Sequence, residues 1–176
     1  DVALDASMQR ALVEEHRADA VLIGQKKYTA GIRALQAIAR AQPSFVAIHF
    51  QLGVLLARTG RTEEAILEFS KVRELRPEVS SVARALADAL MRAGMTDAAN
   101  EQAEIAVMLA EDEGPQERFA AYETAARVAL ISRGAEAARK HAAAPNDADP
   151  AMPVRPFVEG WLLYDQGQYE KAAASF

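Results

Sequence analysis

Cysteine is absent from this chain. Disulfides, thiolate metal centres and a cysteine nucleophile are therefore excluded, and the redox compartment stays open. Aromatic residues are scarce, at 6%. No stretch alternates apolar and polar residues over strand length, and no Asn-Gly or Asp-Gly pair marks a two-residue hairpin. No apolar run approaches the roughly 20 residues of a membrane-spanning helix. The stretch Ala18–Gly24 is too short and follows Glu14, Glu15, His16 and Arg17. Excess basic charge is also missing: 20 Lys and Arg stand against 25 Asp and Glu, a net charge of −5 over 176 residues. A nucleic-acid partner, which wants a basic face, is not expected, and neither is membrane insertion. The start, Asp1–Asp5, lacks Met and a basic leader, so any signal peptide was removed or lies outside this sequence.

What is present favours helices. Alanine is about a fifth of the chain, and Ala, Leu, Glu, Arg and Gln dominate between a few turns. These side chains lose least on entering a helix. The punctuation then repeats. Pro43 and Pro77, Gly60 and Gly94, Leu52 and Leu86, and Ala65 and Ala99 are each 34 residues apart. Such a period is the mark of stacked supersecondary units. The clearest unit opens at Pro43-Ser44, with Ser44 an expected N-cap. A first helix from about Phe45 to Arg58 reaches a turn at Thr59-Gly60-Arg61. Thr62 caps a second helix with Glu63 and Glu64 in its first turn, where acids suit the dipole. That helix ends near Leu75, before Pro77.

The unit 46–79 resembles the tetratricopeptide repeat family. It carries Leu52-Gly53, Leu56, Ala65, Phe69 and Pro77 at the family's spacings, with His49 where Trp is usual. Gly53 and Ala65 would let the two helices approach closely, and Phe69 and Leu52 would fill between them. The resemblance implies an all-α, right-handed superhelical solenoid of antiparallel helix pairs, about five, the last incomplete. The units are 12–45, 46–79, 80–113, a degenerate 116–144 turning at Gly134, and 153–176. Gly134 follows Gly94 by 40 residues, so an insertion breaks the period there. Pro145, Pro150, Pro153 and Pro156 make 141–156 an expected loop. The fifth unit stops at Phe176, within its second helix and without a polar cap. The chain thus reads as one repeat domain, a fragment of a longer protein. Trp161, Leu162, Leu163 and Tyr164 offer self-association through that end, or are simply core.

Chemistry is hard to find. His16, His49 and His141 are far apart and form no His-Glu-x-x-His, so no metal is expected. Glu63-Glu64 open a helix; Glu111-Asp112-Glu113 and Asp147/Asp149 read as solvated loop charge. The nine glycines are scattered, with no phosphate loop and no Gly-x-Ser-x-Gly. No catalytic residue and no cofactor are expected.

Function must then come from surface. In the resembled family, first helices line a concave groove that takes a peptide or partner segment. Carried over, the groove slots are His16 and Arg17, then Phe50, Gln51, Val54 and Arg58, then Arg84, Asp88, Met91 and Arg92. Spacings of three and four keep each set on one helix face. His16, Phe50 and Arg84 replace the Lys, and Ala20, Val54 and Asp88 the Asn, of the carboxylate-gripping subtype. Chaperone-tail recognition is therefore not implied. The expectation is a non-enzymatic interaction scaffold for an acidic segment with apolar anchors, with Asp88 pairing to Arg84 or Arg92. The rival is an accessory or regulatory region of a larger multidomain protein, whose catalytic part lies elsewhere.

Overall fold

The computed structural model describes residues 28–148 and 154–175, and among these every regular element is a helix. Two compact units divide at Leu75 and Arg76. The first contains α1 (Tyr28–Ala41), α2 (Val46–Arg58) and α3 (Thr62–Leu75), with α2 packed on both neighbours. The first helix of unit 12–45 lies outside the described residues.

The α2–α3 pair shows how the sequence sets the helix separation. Leu52, Leu55, Leu56, Ala65, Phe69 and Val72 are buried. Gly53 lies so near Phe69 that a Cβ built on it would stand 2.6 Å from the ring. Glycine there is a requirement of contact, not of backbone conformation. The turn glycine is the opposite case. Gly60 has φ +78 with open space around it, a left-handed end that costs any other residue about 1–2 kcal/mol. Thr59 Oγ1 donates to the Leu55 and Leu56 carbonyls at 3.0 Å, and the Arg61 N–H to Leu56 O at 2.9 Å, closing the last turn.

His49 replaces the expected Trp and is 3% exposed. Its Nε2 donates to Pro43 O at 2.9 Å, and its Nδ1 meets a Glu68 oxygen at 2.5 Å. The imidazole thus ties α2 to α3 and to the preceding loop. Burial pushes the Glu68 carboxyl up, but hydrogen bonds from His49 and Lys71 outweigh it and hold the group below its ordinary value. Ser44 is not the N-cap: Phe45 occupies that position, with no side-chain cap bond. The Phe45 carbonyl instead accepts from the Ile48 and His49 N–H groups.

The second unit contains α4 (Ser80–Arg92), α5 (Thr96–Ala110), α6 (Pro115–Arg133), α7 (Ala135–Ala148), α8 (Val154–Asp165) and α9 (Tyr169–Ser175). Consecutive helices pack together, and α6 also touches α4 and α8. Gly94, Gly134 and Gly167 repeat the left-handed turn of Gly60, with φ between +74 and +88. Small residues again set the spacing: Ala83, Ala106, Ala110 and Ala121 make one core cluster. Ala126, Ala138, Ala142, Val154, Val158 and Leu162 make another. The insertion after Gly94 is a longer first helix. α6 has 19 residues against 13 in α4, and these six extra residues account for the 40-residue spacing to Gly134.

Two expectations change. The loop 141–156 is largely helix. α7 runs through Pro145 to Ala148, although Pro145 forfeits the bond its N–H would give to the His141 carbonyl; Ala142–Ala144 before it favour helix. Pro156 sits in the first turn of α8, where its missing N–H costs nothing; residues 149–153 lie outside the described residues. Glu113 is not free loop charge. Its carboxylate accepts from the Ser80 N–H at 3.2 Å and from the Ser80 hydroxyl, capping α4 from 33 residues away.

Ala65 is fully buried in the α2–α3 contact. Ala65→Leu should lower stability by about 1–3 kcal/mol through overpacking. An unchanged thermal unfolding midpoint would mean that α2 and α3 do not meet there.

Candidate partner interface

The sequence-derived slots fall on first helices, and each unit is described by itself. His16 and Arg17 lie outside the described residues. In the first unit, Phe50, Gln51 and Val54 are half-buried on α2. The Phe50 ring meets Phe69 at a tilt of 57° with centroids 5.7 Å apart, so this side chain is partly core. Arg58 is exposed at the end of α2. Its guanidinium lies 5.5 Å from the centroid of the Tyr28 ring and donates to the Tyr28 hydroxyl at 3.3 Å.

In the second unit, Arg84, Asp88 and Met91 are half-buried on α4, and Arg92 is exposed at its end. The Nε of Arg84 is shielded from solvent and finds no acceptor. Asp88 does not pair as expected: it accepts from Arg127 Nη2 at 2.5 Å. The Nε of Arg127 also donates to Glu123 at 3.3 Å, one turn earlier on α6. Arg127 thus bridges α4 and α6. Burial opposes its charge, but Asp88 and Glu123 outweigh burial and hold the guanidinium more firmly protonated. Burial pushes Glu123 above the usual carboxylate range despite Arg127.

Arg127 and Glu123 were not legible as site residues. Asp88 and Arg127 are 39 positions apart, across the pair where the 34-residue period fails. The extra helical length of α6 brings them together. The bridge also changes the charge balance. On α4 and α6, Arg84 and Arg127 are matched by Asp88 and Glu123, so this face is less basic than α4 alone suggests.

The other polar contacts of the second unit are structural. Asn100 Nδ2 donates to Thr96 O and Ser132 Oγ, both at 2.8 Å, joining α5 to α6. The Tyr122 hydroxyl donates to Glu111 at 2.6 Å; burial, with help from that carboxylate, pushes its pKa up to about 12. His141 Nε2 stands 3.3 Å from Glu104, and burial holds the imidazole below its ordinary value. Among the described residues no group of three or more His, Asp or Glu is placed to hold a metal ion, and no helix is long and apolar enough to cross a membrane.

A family model of the tetratricopeptide repeat matches residues 21–80. Solved structures extend the likeness of fold over most of the chain. A structure of MamA superposes with a TM-score of 0.72 at 17% identity, covering 96% of this chain and 90% of that one. MamA from Desulfovibrio magneticus gives 0.69 at 19%, covering 92% and 89%. The pilF protein of Pseudomonas aeruginosa gives 0.70 at 16%, covering 95% and 74%. No curated protein matches the chain.

The Asp88–Arg127 contact is two-thirds shielded on both sides. A double-mutant cycle of Asp88→Asn and Arg127→Met should give a coupling of about 0.5–1 kcal/mol, at the upper end for surface pairs. Additive effects would remove the bridge from the description of α4 and α6.

Proposed function

We propose that the chain, whose residues 21–80 match the tetratricopeptide repeat model, is a non-enzymatic scaffold that holds a partner segment on the faces of its first helices. The observation that carries this reading is the division of labour along each helix. On α4, Val82, Ala83, Leu86, Ala87 and Leu90 are buried. Arg84, Met91 and Arg92 keep surface at intervening positions. On α2, Gln51, Val54 and Arg58 do the same.

The chemistry favours a partner that is acidic, with one or two apolar anchors. Arg84 has a desolvated N–H without an acceptor, a state that costs about 1–3 kcal/mol until an acceptor arrives. Arginine grips a carboxylate with two parallel bonds, and Arg is enriched in binding hot spots. On the same helix, Met91 supplies apolar area with little directional demand.

A peptide of glutamates around one leucine is a suitable probe. Arg84→Glu with Arg92→Glu should weaken its binding at least on the order of tenfold. Lys71→Glu with Arg73→Glu, on the second helix α3, should leave binding unchanged. Loss in the α3 variant with retention in the α4 variant would place the interface elsewhere. Circular dichroism of both variants checks that the helices persist.

A further inference from the structure

The His49 ring has two nitrogens, and each faces an acceptor. Nε2 stands 2.9 Å from the Pro43 carbonyl. A carbonyl only accepts, so Nε2 carries a proton. Nδ1 stands 2.5 Å from Glu68 Oε2. The other carboxylate oxygen, Glu68 Oε1, accepts from the Lys71 ammonium at 2.8 Å, which favours the ionised form. An ionised carboxylate also only accepts, so Nδ1 carries a proton too. A neutral imidazole has one N–H, and this arrangement uses two. The ring is buried, so the protein itself must supply its partners.

Among the described charges of the first unit, Glu68 reaches the ring directly and Lys71 reaches it through Glu68. On α1, Arg33 and Arg40 are exposed. On α2, Arg58 turns to the Tyr28 hydroxyl. On α3, Glu64 is held by Arg61 at 2.6 Å, Glu63 and Glu74 are exposed, and Arg73 falls on a different helix face from Glu68. The next repeat has no such pair. At a spacing of 34 residues, His49 gives way to Ala83 and Glu68 to Gln102. The Gln102 side-chain oxygen is shielded there and finds no donor. A tryptophan in the His49 slot, usual in the family, would donate one N–H and could not change its charge.

We propose that His49 is held as an imidazolium in the folded first unit, a pH-sensitive lock that ties α2 to α3 and to the Pro43 loop. An unfolded histidine loses its proton around pH 6.5. Above that value the folded chain binds one proton more than the unfolded chain, so stability falls as pH rises, until the folded ring has also released its proton. On the acid side the sign reverses. Burial pushes the Glu68 carboxyl up, but the ring and Lys71 outweigh it and hold the group below its ordinary value. Its share of stability is present above the ordinary carboxylate value and is lost as pH falls through the folded one. Burial holds His141 below its ordinary value, so above about pH 6.5 it is neutral folded or unfolded and adds no slope. The lock sits beside the Phe50–Phe69 contact, one residue on in each helix. It does not depend on which partner the first helices hold.

Glu68→Gln separates the proton from the packing. The glutamine amide keeps the size of the side chain and can donate to Nδ1, so a neutral ring satisfies both contacts. The full chain and this variant are denatured chemically between about pH 6.5 and 8.5, above the ordinary imidazole value. The folding constant of the native chain should fall by up to about tenfold per pH unit, and that of Glu68→Gln should stay nearly level. Nitrogen NMR of the ring-labelled native chain at about pH 7.5, where an ordinary histidine is neutral, should show both His49 nitrogens protonated. That spectrum needs the native chain alone, whether or not the variant folds. A single protonated nitrogen on His49 at that pH, or parallel pH profiles for the two chains, would overturn the proposal.

Discussion

Everything in this protein depends on how closely two helices of a pair can approach. A 13- or 14-residue helix is marginal alone, so each depends on what it buries against its neighbour. They gain stability by bringing backbones together over Gly and Ala, so that many small contacts add up. Gly53 against Phe69 is such a contact in the first unit, with no room for a Cβ. The Ala83, Ala106, Ala110 and Ala121 cluster is its counterpart in the second. Small residues at the crossings let Leu52, Leu55, Leu56, Phe69 and Val72 fill the space beside them in the first unit. Arg58 and Arg92 are left exposed at the helix ends.

Much of this was legible in the sequence, because the period is written in residues whose physics is local. A left-handed turn selects Gly, so Gly60, Gly94, Gly134 and Gly167 marked the reversals correctly. A helix crossing selects small residues, so Ala65 and Gly53 pointed to the interior. What stayed hidden has a common cause: it depends on which distant residues a helix of a given length brings together. Glu113 looked like loop charge until its carboxylate met Ser80, 33 residues earlier. Asp88 looked like a partner for a neighbour on its own helix until α6 supplied Arg127. Pro156 reads as a helix breaker, yet it stands in the first turn of α8, where its missing N–H forfeits no bond.

The candidate interfaces follow the same logic. Slots on α2 and α4 could be assigned by spacing, but their electrostatics could not, since Arg127 and Glu123 come from an irregular repeat.

The dependence on helix separation can be measured at its tightest point. Gly53→Ala places a Cβ against the Phe69 ring and should destabilise the chain by about 1–3 kcal/mol. Phe69→Leu removes the edge of the ring that the new methyl meets. In chemical denaturation, adding Gly53→Ala to the Phe69→Leu chain should therefore cost almost nothing. A Gly53→Ala penalty that persists in full without the ring would show that the close approach of α2 and α3 is not what holds the pair together.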